Sequence, residues 1–238
     1  MIDMRDVGNM NFFSRFVLKY SESNMYLMVE NHQALIIDPN KSMEALSILR
    51  EKGVEHIHIL LTHEHFDHIT GVNWLKEQFN TTVICQKKCA ESIAVAKNNR
   101  PFVFIPMVED KTEQEKREII AFFDALPADA IEADVAFDQG YDFTWQGHEI
   151  KLMSCPGHSP GSTLINFANI HVFTGDYMIP NTPVILRFPG GDKEAYMKKT
   201  LPVLLGMDDG LMVMPGHGEP CLRGSLIYEH GCFMKNEN

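Results

Sequence analysis

His63, His65, Asp67 and His68 fall within the segment Thr62-His63-Glu64-His65-Phe66-Asp67-His68, directly after an apolar run. Three imidazoles and a carboxylate in so short a stretch suit a divalent metal, which takes neutral imidazole nitrogen and carboxylate oxygen at ~2.0–2.2 Å. Three further ligand types follow, each beside a glycine: Pro156-Gly157-His158, Thr174-Gly175-Asp176 and Pro215-Gly216-His217. Residues two apart on an extended loop can point side by side, so His63 and His65 are assigned to one ion and His158 completes it. Asp67 and His68 turn to a second ion, completed by His217. Asp176 is the natural bridge, because a carboxylate has two oxygens and carries the negative charge that two cations need. Two metals ~3.5–4 Å apart can hold a hydroxide that is already deprotonated near neutral pH. That hydroxide would attack a carbonyl carbon while one ion polarises the carbonyl oxygen and the other steadies the leaving group. A lone His-x-His carries little weight: His56 and His58 alternate on the preceding strand and are read as non-ligands. Four separate segments that each deliver a ligand type carry much more.

Other candidates surround this set. Asp38, at the end of an earlier strand, is either a turn residue or a group that orients a ligand imidazole. Asp67 and Tyr177 are the candidate catalytic side chains, Tyr177 as a hydrogen-bond donor to a developing oxyanion. Arg187 could hold a substrate carboxylate bidentately. A packed tyrosine and a surface arginine are the plainer alternatives. Phe102, Phe104, Phe122 and Phe123 could line an acyl pocket, or belong to ordinary core.

The elements that must position these groups are legible in outline. Phe12 to Leu18, Met25 to Glu30 and Ala34 to Ile37 read as strands, and Asp38-Pro39-Asn40 stops the third because proline has no amide hydrogen to donate. Ser42 caps a helix whose apolar positions are Met43, Leu46 and Leu49, and Gly53 ends it. His56 to Leu61 is a strand that runs straight into the histidine cluster. Val72, Leu75 and Phe79 mark a helix, Thr82 to Cys85 a strand, and Lys87 to Lys97 a helix. Thr112 and Glu115 form a capping-box pattern ahead of an Ile119, Phe123 and Leu126 stripe that Pro127 closes. Val135 to Phe137, Tyr141 to Trp145, His148 to Met153, Leu164 to Phe167 and Ile170 to Phe173 are strands. Asp192 caps a long helix to Leu205, bent or ended by Pro202, and Leu211 to Met214 is a final buried strand. The ligand types therefore lie in loops after strands, where a rigid sheet holds them at fixed distances.

Composition narrows the function classes. The chain has 238 residues, 45% hydrophobic, and a net charge of −11. That charge makes nucleic-acid backbones poor partners. No stretch approaches the ~20 apolar residues of a membrane span, and Met1 to Ser14 shows no signal-peptide pattern. Cytoplasm is the default location. Five cysteines without a CxxC pair read as buried, unreactive thiols in a reducing compartment.

The set His63, His65, Asp67, His68, His158, Asp176 and His217 resembles the signature of the metallo-β-lactamase superfamily, His-x-His-x-Asp-His followed by a lone His, a bridging Asp and a final His. Asp38 matches the first motif of that family. The resemblance spans about Asn24 to Gly218 and implies an α/β fold, a four-layer αβ/βα sandwich with the metals at one edge of two central sheets. Residues 1–238 are expected to form a single such domain, with a helical insertion at about 97–138 that serves as a lid, a dimer contact or a packed decoration.

Cys155-Pro156-Gly157-His158-Ser159-Pro160-Gly161-Ser162, Phe173-Thr174-Gly175-Asp176 and Arg187-Phe188-Pro189-Gly190-Gly191-Asp192 look like short glyoxalase II-type thioesterases. The departures are Tyr177 where Thr is usual, Asn40 where Gly is usual, an interval of 90 positions from His68 to His158, and only 21 residues after His217. The resemblance thus implies a hydrolase that uses two divalent ions, zinc first and iron or manganese otherwise, on a thioester, lactone or related small ester. An iron-dependent persulfide dioxygenase-like oxidoreductase on the same fold is the alternative. A small acyl compound is the expected partner, without nucleic acid or membrane, and a homodimer stays open.

Overall fold

The computed structural model describes residues 12–101 and 108–236, so Phe102 and Phe104 lie outside the described residues. Six strands, β1 (Ser14–Val17), β2 (Asn24–Glu30), β3 (Gln33–Ile37), β4 (His56–Leu60), β5 (Asn80–Gln86) and β6 (Val135–Phe137), form one sheet in that order. β1, β2 and β3 pair antiparallel, whereas β3 through β6 run parallel. A second six-stranded sheet is built from β7 (Gly140–Trp145), β8 (His148–Ser154), β9 (Thr163–Phe167), β10 (His171–Gly175), β11 (Met212–Pro215) and β12 (Cys221–Leu222). Only β10 and β11 are parallel in it.

The alternation of side chains along each strand explains the layering. On β3, Ala34 and Ile36 join one apolar cluster and Leu35 and Ile37 join another, and all four are buried. A strand covered on both faces reads as a continuous apolar run, as buried parallel strands do. The first cluster packs the outer face of the first sheet under α1 (Met43–Glu51), α2 (Val72–Lys76) and α3 (Lys87–Ile93). The second joins the sheets face to face through Tyr26, Leu60, Ile84, Ile150, Ile165 and Phe173, among others. A third covers the outer face of the second sheet with Tyr196, Leu201 and Leu204 from a helical segment over 193–205. Helix, sheet, sheet and helix are the four layers expected.

Local signals mostly held. The Ser42 hydroxyl accepts the Ala45 amide at 3.1 Å and caps α1. Ala45, Leu46 and Leu49 are buried, but Met43 is 66% exposed. The capping box at Thr112 and Glu115 is complete and starts α4 (Glu113–Asp124). Pro202 neither ends nor breaks its helix. The turn before it, Tyr196–Thr200, widens to a π-helix in which the Leu201 amide reaches the Tyr196 carbonyl. That widening relieves the clash of the proline ring with the carbonyl four residues back. The helix predicted over Lys87 to Lys97 stops at Ile93 and continues as a 3₁₀ turn, Ala96–Asn99. The strand at Leu211 to Met214 is not the last. β12 follows, then a hairpin of β13 (Leu226–Glu229) and β14 (Cys232–Lys235). Val135–Phe137 is an edge strand of the first sheet, paired with β5, so the segment after α4 is integral to that sheet. All five cysteines are free and buried. No helix of the described residues is long and apolar enough to cross a membrane.

Candidate metal centre

The site forms where β3, β4, β8, β10 and β11 end. Asp38, just after β3, sits in the left-handed region at φ 52°, a conformation Asp and Asn tolerate better than most residues. Its carboxylate takes three hydrogen bonds. Thr62 donates its amide to Oδ1 at 2.7 Å and its hydroxyl to Oδ2 at 2.5 Å, and His68 Nδ1 donates to Oδ2 at 2.9 Å. The Thr62 hydroxyl has thereby spent its hydrogen, so at 3.0 Å it must accept from Nδ1 of His63. Both rings consequently turn a bare Nε2 inward, and neither Nε2 has a hydrogen-bond partner although both are buried. His158 is fixed likewise, its Nδ1 donating to the Ile185 carbonyl at 2.8 Å. Orientation of ligand imidazoles through their second nitrogen is the usual way a protein prepares a metal site. Of the two readings open for Asp38, the structure shows the orienting one.

The inward atoms converge as two sets. His158 Nε2 lies 3.0 Å from His65 Nδ1 and 3.3 Å from Asp176 Oδ2, and His63 Nε2 lies 4.0 Å from the same oxygen. On the other side, Asp176 Oδ1 is 3.3 Å from His68 Nε2 and 3.5 Å from His217 Nε2. Asp67 Oδ2 is 3.8 Å from His68 Nε2 and 3.5 Å from His217 Nε2. A tetrahedral ion with ligands at ~2.0–2.2 Å spaces its donor atoms ~3.4 Å apart, so both sets fit a divalent ion. The buried Asp176 Oδ1 also has no hydrogen-bond partner. The structure thus brings all seven sequence-predicted side chains together, with the two oxygens of Asp176 facing different sets.

Glycines permit this convergence. Gly175 adopts φ 52°, and a Cβ there would crowd the Thr62 side chain. A Cβ on Gly216 would lie 2.6 Å from Asp176 Oδ1 and 2.8 Å from His68 Cε1. The His217 loop is held from below by β2: Asn24 donates its amide to the Gly216 carbonyl at 2.7 Å, and Tyr26 donates its hydroxyl to the Pro215 carbonyl at 2.8 Å.

The electrostatics suit cations. Burial pushes His63 well below the usual imidazole range, and burial with the neighbouring His158 pushes His65 to about 4, so both rings are neutral donors. Burial alone would raise Asp176, but His217, His68 and His158 outweigh it and hold the carboxyl well below its ordinary range. Burial likewise opposes charge on His68, yet Asp67, Asp176 and Asp38 together hold it well above the ordinary value. The excess negative charge that would protonate His68 is what a second cation neutralises.

Two predicted residues sit elsewhere. Tyr177 is buried, and its hydroxyl donates to the Cys155 carbonyl and accepts the His158 amide, both at 2.8 Å. Its one hydrogen is used by the backbone, so it cannot meet an oxyanion; it braces the loop that carries His158. Tyr177→Phe should destabilise the fold by about 1–3 kcal/mol, because two buried backbone groups lose a partner. Turnover should fall by less than the ~10²-fold typical of a lost oxyanion donor, as paired urea titrations and steady-state kinetics will show. Arg187 is exposed and lines neither cavity beside the cluster; its neighbour Phe188 lines both. Glu64 was missed. Its carboxylate accepts the Ser159 hydroxyl at 2.9 Å and the Gly161 amide at 3.3 Å, tying the His63–His65 turn to the His158 loop. A charged residue between two inward-facing histidines was the available signal.

A cavity of about 270 Å³ opens over the cluster. Its floor is His65, Asp67, Asp176 and His217, and its walls include Tyr20, Phe66, Ile179, Ile185 and Phe188. α4 backs this wall, with Phe123 packed edge-on against Phe66 at 5.5 Å and Phe122 against Tyr20 at 5.2 Å.

Known proteins resemble this chain in sequence and in fold. The chain is 27% identical over 201 residues to "Probable metallo-hydrolase YqgX" of Bacillus subtilis, covering 83% of this chain and 85% of that one. It is 27% identical over 205 residues to hydroxyacylglutathione hydrolase GloC of Haemophilus influenzae, covering 85% and 88%. Its fold superposes on the crystal structure of TTHA1623 in a di-iron-bound form with a TM-score of 0.67 at 23% identity, over 89% of this chain and 95% of that one. The family description "Metallo-beta-lactamase superfamily" matches residues 19–217, and with a four-layer fold and a clustered His/Asp set at the strand ends the chain belongs to that superfamily.

Proposed function

We propose that this protein is a dinuclear metal-dependent hydrolase of small thioesters or related esters. One observation carries the reading: the two oxygens of Asp176 face two separate donor sets, on the floor of a cavity with apolar walls. His63, His65 and His158 would hold one ion, Asp67, His68 and His217 the other, and Asp176 both. Divalent ions so held lower the pKa of water toward neutrality and polarise a carbonyl oxygen. The remaining work falls to this chain's own side chains. Phe66, Ile179, Ile185 and Phe188 exclude water and take up an acyl group. Asp67 and His217 stand at the cavity floor beside the carbonyl. Asp38, Thr62 and the Ile185 carbonyl keep three imidazoles in one tautomer, so no rearrangement is needed as charge develops. The hydroxyacylglutathione hydrolase among its relatives supports the thioester class, and the di-iron form of TTHA1623 makes iron a candidate beside zinc.

The test is a substrate panel of thioesters, lactones, phosphodiesters and β-lactams, run on protein whose metals have been quantified. About two ions per chain and preferential thioester or ester hydrolysis are expected, lost on chelation and restored by metal. Undiminished hydrolysis by the metal-free protein would sink the reading. Oxygen consumption with a glutathione persulfide and no hydrolysis would replace it with an oxidoreductase.

A further inference from the structure

The helical segment over 193–205 serves two surfaces at once. Its first half meets the loop that carries His158. The Asp192 amide donates to the Gly157 carbonyl at 2.8 Å, and the Thr200 hydroxyl donates to the Pro156 carbonyl at 2.7 Å. Tyr196 packs so closely on Gly157 that a Cβ there would lie 2.7 Å from the Tyr196 Cβ. The Tyr196 ring also stacks on that of Tyr177, at 5.7 Å and 19°, and the Tyr177 hydroxyl accepts the His158 amide. The second half covers the outer face of the second sheet through Leu201 and Leu204. Tyr196, Thr200, Leu201 and Leu204 are all buried, whereas Met197, Lys198 and Lys199 are exposed. A regular α-helix does not bring these four buried residues onto so narrow a face. At ~100° per residue it would leave Leu201 about 140° round the axis from Tyr196. The π-turn over Tyr196–Thr200 reduces that offset, because the Leu201 amide bonds the Tyr196 carbonyl and the turn takes up one more residue.

Resting on the two-ion reading of the site, we propose that Pro202 is a positioning residue for His158. It has no amide hydrogen, and its ring would strike the carbonyl four residues back in a regular turn, so it holds the π-turn in place. The π-turn keeps Tyr196 and Thr200 on the His158 loop while Leu201 and Leu204 stay in the core. A regular helix could satisfy only one of these surfaces. With Leu201 and Leu204 docked, Tyr196 and Thr200 would rotate away from Gly157 and Pro156. His158, next along that loop, would lose its fixed approach to Asp176 Oδ2 at 3.3 Å and His65 Nδ1 at 3.0 Å. Asp67, His68 and His217 lie on other loops, so the effect falls on one donor set.

The test compares Pro202→Ala, Thr200→Val and Thr200→Ser. Thr200→Val keeps the side-chain shape and removes the hydrogen bond to Pro156, and Thr200→Ser restores a donor. Hydrogen-bond couplings in the NMR spectrum of the metal-free protein report whether the turn is π or α. A zinc titration followed through the ring signals of His158 and His217 reads the two donor sets separately. Pro202→Ala should convert the turn to regular helix and displace the His158 ring signals before any zinc is added. Zinc at the His158 set should bind about tenfold more weakly, the lower end for a lost support behind a metal ligand. The His217 set, which lacks that support, should change by less than about twofold. Thr200→Val should reproduce the selective loss, and Thr200→Ser should recover it. The losses in Pro202→Ala/Thr200→Val should not add, because both remove one contact. A π-turn that persists in Pro202→Ala overturns the proposal, as does a regular helix that binds zinc at the His158 set like the wild type. Should Pro202→Ala not fold, the Thr200 pair decides: selective loss and recovery support the proposal, and unchanged zinc binding, or equal weakening of both sets with a lowered Tm, overturns it. A wild type that binds no zinc sinks the two-ion reading instead, while the metal-free His158 signals still test the role of Pro202.

Discussion

Asp176→Asn is expected to lower kcat/KM by about 10³-fold and to cut bound metal from two ions per chain to one or fewer. Asp176 stands at 3.3 Å from both His158 Nε2 and His68 Nε2, through different oxygens. Asparagine keeps the shape and one oxygen but places an amide nitrogen, a donor without a usable lone pair, against the other set. It also removes the one negative charge the sets share. The loss of several kcal/mol of charge stabilisation gives the stated factor. Elemental analysis beside steady-state kinetics reads both effects. Two tightly held ions and near-normal turnover in the variant would show that the carboxylate does not bridge.

Asp38→Asn is expected to weaken metal binding by about 10–100-fold without touching a metal. The backbone tolerates the change, since Asn accepts the φ of 52° as readily as Asp. The carboxylate matters because it accepts three donors, two from Thr62 and one from His68. An amide nitrogen at the Oδ2 position would confront the Thr62 hydroxyl and the His68 N–H with a third donor. His68 would then turn or change tautomer, and Thr62 would release the orientation of His63. Because Asp38 and Thr62 are buried, unmatched polar groups there should also cost about 2–4 kcal/mol of stability. Calorimetric metal titration separates the two effects. Full metal affinity with only a lower unfolding midpoint would make Asp38 a scaffold residue and nothing more.

Much of this site was legible because its chemistry needs side chains in short runs after strands. His63, His65, Asp67 and His68 arise from one turn, and the glycines beside His158, Asp176 and His217 mark places where loops must approach closely. The Ser42 cap and the Thr112–Glu115 capping box were legible for the same reason: each is completed within a few residues. For Tyr177 and Arg187 the sequence left two readings each, because proximity in sequence to Asp176 says nothing about direction. Tyr177 points back under the His158 loop, and Arg187 points to solvent. Glu64 was passed over because its partners, Ser159 and Gly161, lie far along the chain. The strands after His217 were missed because β12 and the β13–β14 hairpin are short, and their burial comes from the helical segment they pack beside rather than from their own pattern.

By itself the sequence determined the residue types of the site and the strand ends that carry them, since periodicity and turn chemistry act over a few residues; the layered fold followed from the resemblance of the ligand set to a known family. The tertiary structure alone decided the tautomers imposed through Asp38 and Thr62, the bracing role of Tyr177 under the His158 loop, and the meeting of two cavities at His65. Those features depend on distances between segments far apart along the chain. Such distances are set by how two sheets pack, which no local pattern encodes.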